Sequence, residues 1–110
     1  MEERAYRAAR LLSAVGNPVR FLIVRLLAER QLTSAQIAKT LARKQSTVSN
    51  HLASLRKLDV VGFKRTDNGL VYWLKLPELC RLLDAAERCV SRVEELSARS
   101  ARARARKAPV

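Results

Sequence analysis

The sequence predicts a mainly α-helical fold with one small β-hairpin, and three observations support this prediction. Apolar residues recur three and four positions apart through most of the 110 residues, as they do on one face of a helix. After Leu58 the pattern changes to two short runs of β-branched and aromatic residues around Asn68-Gly69, a strong hairpin signal. Hydrophobic residues make up 48% of the chain, which is enough for one domain with a modest core.

Two helices open the chain. The spacing of the apolar residues predicts a first helix over residues 2–15, and Gly16-Asn17-Pro18 ends it. Pro18 suits the first turn of a second helix, which we expect to end at about Glu29. This second helix is apolar around much of its circumference, so we place it in the core.

Two shorter helices follow, joined by residues 42–44. The third is predicted over residues 33–41, because Thr33 and Gln36 have the spacing of a capping box. The fourth runs over about residues 45–57, and three residues at i, i+4 and i+7 form its apolar stripe: Val48, Leu52 and Leu55. Two short helices with so tight a connection are typical of a helix-turn-helix, although this turn lacks the glycine often found there.

A hairpin and a long helix complete the pattern. Residues 60–65 and 70–76 are predicted to form the two strands of a wing, which makes the fold a winged helix-turn-helix. The last helix is expected from about Pro77 to Ser97. Its apolar residues form a heptad-like seam: Leu79, Leu82, Ala86, Cys89, Val93 and Leu96. Such a seam favours a helical partner, and we expect dimerisation through the first and last helices.

The charge of the chain indicates an anionic partner. Lys and Arg number 22 against 10 Asp and Glu, which gives +12 and a pI near 11.1. Residues 98–110 hold five cations and no acid, so residues 1–97 still carry +7. We therefore divide the chain into a DNA-binding and dimerisation domain, residues 1–97, and a basic, disordered tail, residues 98–110. The tail cations are either merely solvated or assist DNA binding.

The outer face of the fourth helix suggests how DNA would be read. This face has short, hydrogen-bonding side chains and no carboxylate, which suits close approach to base edges in the major groove. The residues predicted near the bases are Gln45, Ser46, Thr47, Ser49 and Asn50. The cations predicted to hold phosphates or the adjacent minor groove are Arg43, Lys44, Lys57, Lys64 and Arg65.

Three stretches of this sequence carry a resemblance to a known family. They are NPVRFLIVRLL (Asn17–Leu27), QSTVSNHLASLRKLDVV (Gln45–Val61) and NGLVYWLKL (Asn68–Leu76). The chain resembles the arsenic-repressor (ArsR/SmtB) family of winged helix-turn-helix transcription factors over about residues 5–95. The resemblance implies a homodimer, joined through its first and last helices, that represses by binding operator DNA and leaves the DNA when an inducer binds.

The sensing sites of that family do not match this sequence. The resemblance assigns a Cys-x-Cys metal site to positions that hold Thr33 and Ala35 here. A zinc site on the last helix would have Asp84 and Glu87 but no histidine. We therefore predict no metal site and no cofactor, and the familiar ligand positions do not support a thiophilic metal or metalloid. His51, the only histidine, is assigned a packing or phosphate-neighbouring role at the edge of the inner face.

Two interpretations of the cysteines stay open. Cys80 and Cys89 are nine residues apart, about 13.5 Å along a helix and on opposite sides, so they cannot bridge within one helix. Cys89 in the seam can act as a small hydrophobe. Alternatively, Cys80 and Cys89 form a thiol sensor that pairs between chains or binds a metalloid. The effector is then a thiol reaction, another ligand, a partner protein, or absent.

The predicted function is a sequence-specific, homodimeric repressor. The alternative is a low-specificity architectural DNA-binding protein, which the +12 charge and the Arg-rich tail would also suit. An enzyme is not expected, because the sequence has no Gly-rich phosphate loop, no second histidine and no acid–base constellation. No apolar run approaches the ~18–20 residues that span a membrane, and no secretory signal is visible. We expect a cytoplasmic, nucleoid-associated protein.

Overall fold

The computed structural model describes residues 2–107, and they form a winged helix-turn-helix, as the sequence predicts. Five helices and three strands occur in this range: α1 Glu2–Val15, α2 Pro18–Glu29, β1 Leu32–Thr33, α3 Ser34–Leu41, α4 Gln45–Lys57, β2 Val61–Thr66, β3 Gly69–Leu74 and α5 Leu79–Lys107. The chain divides into two compact units, one up to Cys80 and one from Arg81 onward.

The core of the first unit joins α2, α3 and α4 with the sheet. Its fully buried side chains are Ile23, Val24, Ile37, Val48, Leu52, Leu55 and Val60. The three apolar positions predicted for α4 are all 0% exposed, so the inner face of that helix is confirmed. Burial of side chains of this size contributes about 1.5–3 kcal/mol each, which makes this face the anchor of α4.

The start of α2 is fixed by the residue before it. The Oδ1 atom of Asn17 accepts hydrogen bonds from the backbone N–H groups of Val19, at 2.9 Å, and Arg20, at 3.1 Å. Pro18 takes the first helical position, where its missing N–H group costs nothing. The predicted stop between the first two helices and the position of Pro18 are therefore confirmed, whereas the cap that Asn17 forms was not predicted.

The sheet has one strand more than the predicted hairpin. Its order is β1-β3-β2, and both neighbouring pairs are antiparallel. β1 has only two residues, and it places Leu32 opposite Tyr72 and Thr33 opposite Val71. Two residues are too few to show the two-residue period of a strand, so the sequence pattern could not reveal β1.

The hairpin turn lies at the predicted position, but Asn68 and Gly69 do not both adopt the positive φ that makes Asn-Gly a common turn pair. Thr66 lies opposite Gly69, which leaves Asp67 and Asn68 as the two turn residues. Among these residues only Gly69 has a positive φ, at 105°. The Thr66 hydroxyl accepts the Asn68 N–H group at 3.2 Å and donates to the Gly69 carbonyl at 2.9 Å. A threonine side chain therefore closes the turn.

The last helix is longer than expected. α5 begins at Leu79, two residues after Pro77, and continues to Lys107. Most of the tail that we expected to be disordered is therefore helical, and residues 108–110 lie outside the described range. Ala and Arg are among the strongest helix formers, and the cations of the last turn complement the helix dipole. Because this segment lacks large apolar residues, it cannot pack into a core. Helix formation does not require such residues, so their absence did not predict disorder.

Candidate nucleic-acid interface

Both ends of α3, the first helix of the helix-turn-helix, are capped. At the start of α3, the Thr33 N–H group donates to Gln36 Oε1 at 2.9 Å, and the Gln36 N–H group donates to Thr33 Oγ1 at 3.1 Å. The predicted capping box is thus confirmed. At the end of α3, Ala42 has the left-handed backbone conformation, with φ 53° and ψ 47°. An alanine therefore does what a glycine often does in this turn.

The outer face of α4 is open to solvent. Of the predicted base-reading residues, Gln45, Ser46 and Asn50 are exposed, whereas Thr47 and Ser49 are half-buried. No carboxylate occurs in α4, and Lys44 caps its N-terminus without any side-chain hydrogen bond. The backbone N–H groups of the first turn are thus left to water or to an anion.

Gln45 has a partner that the sequence did not suggest. Its Nε2 atom donates to Ser34 Oγ at 3.2 Å, so the side chain joins the first residue of α3 to the first residue of α4. A base could be read by this amide only through its remaining donor and acceptor groups. Gln45 therefore belongs to the frame of the helix-turn-helix as well as to its exposed face.

The predicted phosphate-binding cations lie at both ends of α4 and on β2. Arg43 and Lys44 precede α4, Lys57 ends it, and Lys64 and Arg65 lie on β2; all five are exposed. Between residues 30 and 66 the chain has eight Lys or Arg residues and one acid, Asp59. Asp59 is paired with Lys75, whose Nζ lies 3.2 Å from its Oδ1. A segment with this excess of positive charge attracts phosphates.

Arg56 connects α4 to the wing through a contact that sequence reasoning missed. Its guanidinium lies 3.9 Å from the centroid of the Phe63 ring, within the range of a cation–π contact. Phe63 in turn lies 6.1 Å from the Tyr72 ring on β3, measured between centroids. No periodicity links an arginine in a helix to an aromatic residue seven positions later, so only the folded structure shows this contact.

His51 joins α4 to α2. The Nε atom of Arg20 donates to His51 Nδ1 at 3.0 Å, which requires an unprotonated Nδ1. Burial, and secondly the positive charge of Arg20, lower the pKa of His51 below its ordinary value of 6.5. The half-buried ring therefore positions α4 as a neutral hydrogen-bond acceptor, a role more specific than the packing or phosphate-neighbouring role expected from the sequence.

Similarity to known proteins agrees with this geometry. The profile of the family described as "bacterial regulatory protein, arsR family" matches residues 17–62, from α2 to the start of β2. An uncharacterized HTH-type transcriptional regulator of Methanocaldococcus jannaschii is 30% identical over 86 residues, which are 74% of this chain and 97% of that protein. The chain belongs to the ArsR family.

Solved structures of similar proteins share its fold. HlyU from Vibrio cholerae, named a transcriptional activator, is 28% identical with a TM-score of 0.71 over 81% of this chain and 97% of that one. BigR from Xylella fastidiosa, described as a transcriptional repressor, is 29% identical with a TM-score of 0.70 over 77% and 87%. Mb0332 from Mycobacterium bovis, described as a homodimeric winged helix-turn-helix DNA-binding domain, has a TM-score of 0.72 over 86% and 87%. At 22% identity it shows the fold alone.

As a member of the ArsR family, the chain is a DNA-binding transcriptional regulator and not an enzyme. Nothing in these comparisons supports the alternative of a low-specificity architectural protein. Among residues 2–107 no single helix is long and apolar enough to cross a membrane. α1 and α2, bent by 89° at their junction, meet that length and composition test only as a pair.

The positions that the resemblance assigned to metal sensing are occupied otherwise. Thr33 uses its hydroxyl and its N–H group in the capping box, and Ala35 is an exposed methyl group. Asp84 and Glu87 are exposed on α5. Within the described residues no group of three His, Cys, Asp or Glu side chains could hold a metal ion.

Both cysteines are free thiols. Cys80 is half-buried near the start of α5, and Cys89 is exposed further along the same helix. The seam to which Cys89 was assigned is buried at Leu79 but exposed further along, at Leu82, Val93 and Leu96, and the neighbouring Val90 is exposed as well. The described chain alone therefore leaves this face of α5 in contact with water.

Proposed function

We propose that two copies of this ArsR-family chain form a repressor that binds operator DNA with α4 of each copy in the major groove. The acid-free outer face of α4, held from behind by three fully buried side chains, carries this proposal. Similar proteins include both directions of regulation, since HlyU is named a transcriptional activator and BigR a transcriptional repressor. Repression follows if the operator overlaps a promoter.

The base contacts come from the first two turns of α4. Ser46 and Asn50 are exposed one turn apart, with Ser49 half-buried beside them. An asparagine amide can form two hydrogen bonds with adenine, and serine hydroxyls bond to either a donor or an acceptor. Thr47 and Gln45 lie at the same end of the helix. The strongest sequence preference is therefore expected opposite Asn50.

The phosphate contacts come from both sides of that helix. Arg43 and Lys44 stand at its N-terminus with the unpaired N–H groups, and Lys57 stands at its C-terminus. Lys64 and Arg65 project from β2, whose base is held by the stack of Arg56 on Phe63. These cations fix the register of the protein on the duplex and contribute most of the sequence-independent affinity.

The dimer is supported by exposed apolar residues on the two terminal helices. α1 has Tyr6 at 65% and Leu12 at 50% exposure. On α5, Val90 and Val93 are 56% and 60% exposed. Large apolar side chains in this number are an interaction surface on a monomer, and a heptad spacing indicates a helical partner. Val93→Glu is expected to convert the dimer to monomers in sedimentation experiments, with Arg92→Glu, a neighbouring exposed position outside the seam, as the control.

The effector is the least constrained part of the proposal. Cys80 and Cys89 remain the candidate thiol sensor, acting between chains or through a thiophilic metalloid, and a partner protein is the other route to release. Reduced wild type and the Cys80→Ser/Cys89→Ser variant should be compared for operator binding with oxidant, arsenite and divalent metals. An unchanged response in the variant would remove the thiols from the mechanism. We propose that the protein acts in the cytoplasm, at the nucleoid, where its operator would lie.

Operator reading is tested by two substitutions and one control. A duplex selected from a random-sequence library and a scrambled duplex of equal length serve as probes. Asn50→Ala should weaken binding to the selected duplex by about 1–3 kcal/mol and spare the scrambled one. Lys64→Ala should weaken both equally, and Arg4→Ala, an exposed cation on α1, should change neither. Equal losses on both duplexes for Asn50→Ala would contradict direct base reading.

A further inference from the structure

The last three turns of α5 differ from the rest of that helix. Residues 97–107 have the sequence SARSARARARK, with five cations and no carboxylate, and they are helical throughout. All of them are exposed except Ala103, which is half-buried. Arg99 is paired with Glu95, at 3.5 Å between Nη2 and Oε1. The four later cations have no ion pair within the described part of the chain.

The seam of α5 does not continue into this segment. Following the heptad from Leu96, the next three seam positions hold Ser100, Ala103 and Lys107. A small hydroxyl, a methyl and an ammonium group give a helical partner almost no apolar surface to bury. The helix therefore extends about 16 Å, eleven residues at 1.5 Å each, beyond the part that the seam suits for pairing.

The cations of this extension form two rows. At about 100° per residue, Arg99, Arg102 and Arg106 lie within roughly 60° of one another. Arg104 and Lys107, three residues apart, form a shorter row on the other side. Like charges at these spacings repel and destabilise an isolated helix. A bound polyanion would remove that repulsion, since it neutralises both rows.

We propose that residues 97–107 form a basic arm that binds the phosphates of duplex DNA flanking the operator. The proposal rests on the proposed operator binding and extends its footprint. The arm has no aromatic residue on which unpaired bases could stack, which argues against single-stranded RNA or DNA. It also lacks the large apolar residues that a protein groove or a membrane surface would bury. Guanidinium groups without apolar neighbours suit phosphates on a duplex.

The test compares two variants that each remove three positive charges. Arg102→Gln/Arg104→Gln/Arg106→Gln neutralises the arm, and Arg4→Gln/Arg7→Gln/Arg10→Gln neutralises three exposed arginines of α1. Glutamine has nearly the helix propensity of arginine, so both helices should form, which circular dichroism verifies. Because α1 also belongs to the proposed dimer, sedimentation verifies that both variants still pair before their DNA binding is compared. The probes are a short duplex covering the selected site alone and a duplex that extends this site on both sides with random sequence.

The arm is expected to make binding depend on duplex length. Wild type should bind the extended duplex more tightly, because the arm then reaches additional phosphates. In the arm variant, the slope of log K against log salt concentration should become less steep, by about 0.9 for each phosphate that the arm no longer neutralises. The α1 variant should keep the wild-type slope. The proposal is overturned if the arm variant keeps the slope and the length dependence, or if the α1 variant loses them equally.

The two proposals fail in distinguishable ways. If wild type binds the selected and scrambled duplexes equally, operator reading fails, whereas the slopes on an extended scrambled duplex still report on the arm. A competition experiment gives one more result that would overturn the arm proposal. In that result, single-stranded RNA displaces the duplex probe from wild type more strongly than duplex DNA with the same number of phosphates, and the arm variant no longer shows this difference.

Discussion

The guanidinium of Arg56, in the last turn of α4, lies 3.9 Å from the centroid of the Phe63 ring on β2. Lys64 and Arg65 follow Phe63 directly on the same strand. The stack therefore links α4 to the strand that carries these two cations. In the proposed interface, such a link would hold the base-reading and phosphate-binding groups in register.

The first prediction concerns this stack. Arg56→Gln and Phe63→Leu should each lower the free energy of unfolding by about 0.5–1 kcal/mol, because cation–π contacts at exposed sites contribute that much. The double variant should lose less than the sum, as urea denaturation can measure. Phe63→Leu keeps every charge, yet it should weaken operator binding and speed hydrogen exchange in β2. Unchanged DNA affinity in this variant would show that the stack does not position the wing.

The second prediction concerns Gly62, which lies beneath the indole of Trp73. A Cβ atom at this position would lie 2.6 Å from Cζ2 and 2.7 Å from Cε2 of the ring. Gly62→Ala should therefore destabilise the protein by roughly 1–3 kcal/mol, the usual cost of overpacking. In a Trp73→Leu background the same substitution should cost clearly less. An equal penalty in both backgrounds would point to a backbone effect instead of the contact with the ring.

The third prediction concerns the left-handed turn at Ala42. The αL conformation costs an L-residue roughly 1–2 kcal/mol, and glycine avoids that cost. Glycine also makes the unfolded chain more flexible, which lowers the free energy of unfolding by about 0.4–1 kcal/mol. Ala42→Gly should thus raise the free energy of unfolding by about 0.5–1 kcal/mol in chemical denaturation. Ala53→Gly, at an exposed interior position of α4, is the control and should lower it by about 1 kcal/mol. Destabilisation by Ala42→Gly would contradict the assigned backbone conformation.

The fourth prediction concerns pH. The pKa of His51 is lowered in the folded chain, chiefly by burial, so the unfolded chain takes up a proton first as the pH falls. Above the ordinary pKa of 6.5, the neutral ring makes its full contribution to the free energy of unfolding. As the pH falls from 6.5 to the lower pKa of the folded chain, this contribution is lost. Protonation of Nδ1 would also break the hydrogen bond from Arg20.

Urea unfolding at a series of pH values measures this effect. In wild type the free energy of unfolding should decline as the pH drops below 6.5, the ordinary pKa of histidine. In His51→Gln, which keeps a neutral acceptor, that decline should be smaller in the same window. Parallel curves for the two proteins would exclude His51 as the titrating group.

Much of the fold could be predicted because its signals are local. The capping box of Thr33 and Gln36, the Asn17-Pro18 helix start and the buried stripe of α4 each depend on residues within one or two turns. The hairpin turn was located by Asn68-Gly69, although the side chain of Thr66 supplies its hydrogen bonds. The helical arm was missed because its Ala and Arg residues favour a helix without forming an apolar stripe.

Most positions of the candidate interface are exposed as expected from the sequence, although Thr47 and Ser49 are half-buried, whereas none of its contacts was predictable. The missing carboxylates of α4 and the flanking cations are visible in the sequence, and so is the family resemblance that the comparisons confirm. The bond from Gln45 to Ser34 spans 11 residues, and the bond from Arg20 to His51 spans 31. Each requires two elements to pack first, and no periodic pattern encodes which polar side chains then meet.

The sequence by itself determined the order of the helices and the wing, the outer face of α4 without carboxylates and the inner stripe that holds it. These follow from helical and strand periods, turn residues and charge, all of which are properties of neighbouring residues. Only the tertiary structure decided that β1 joins the sheet, that Arg56 stacks on Phe63 and that His51 is a neutral acceptor for Arg20. Those relationships depend on distances between elements, which packing of the core sets.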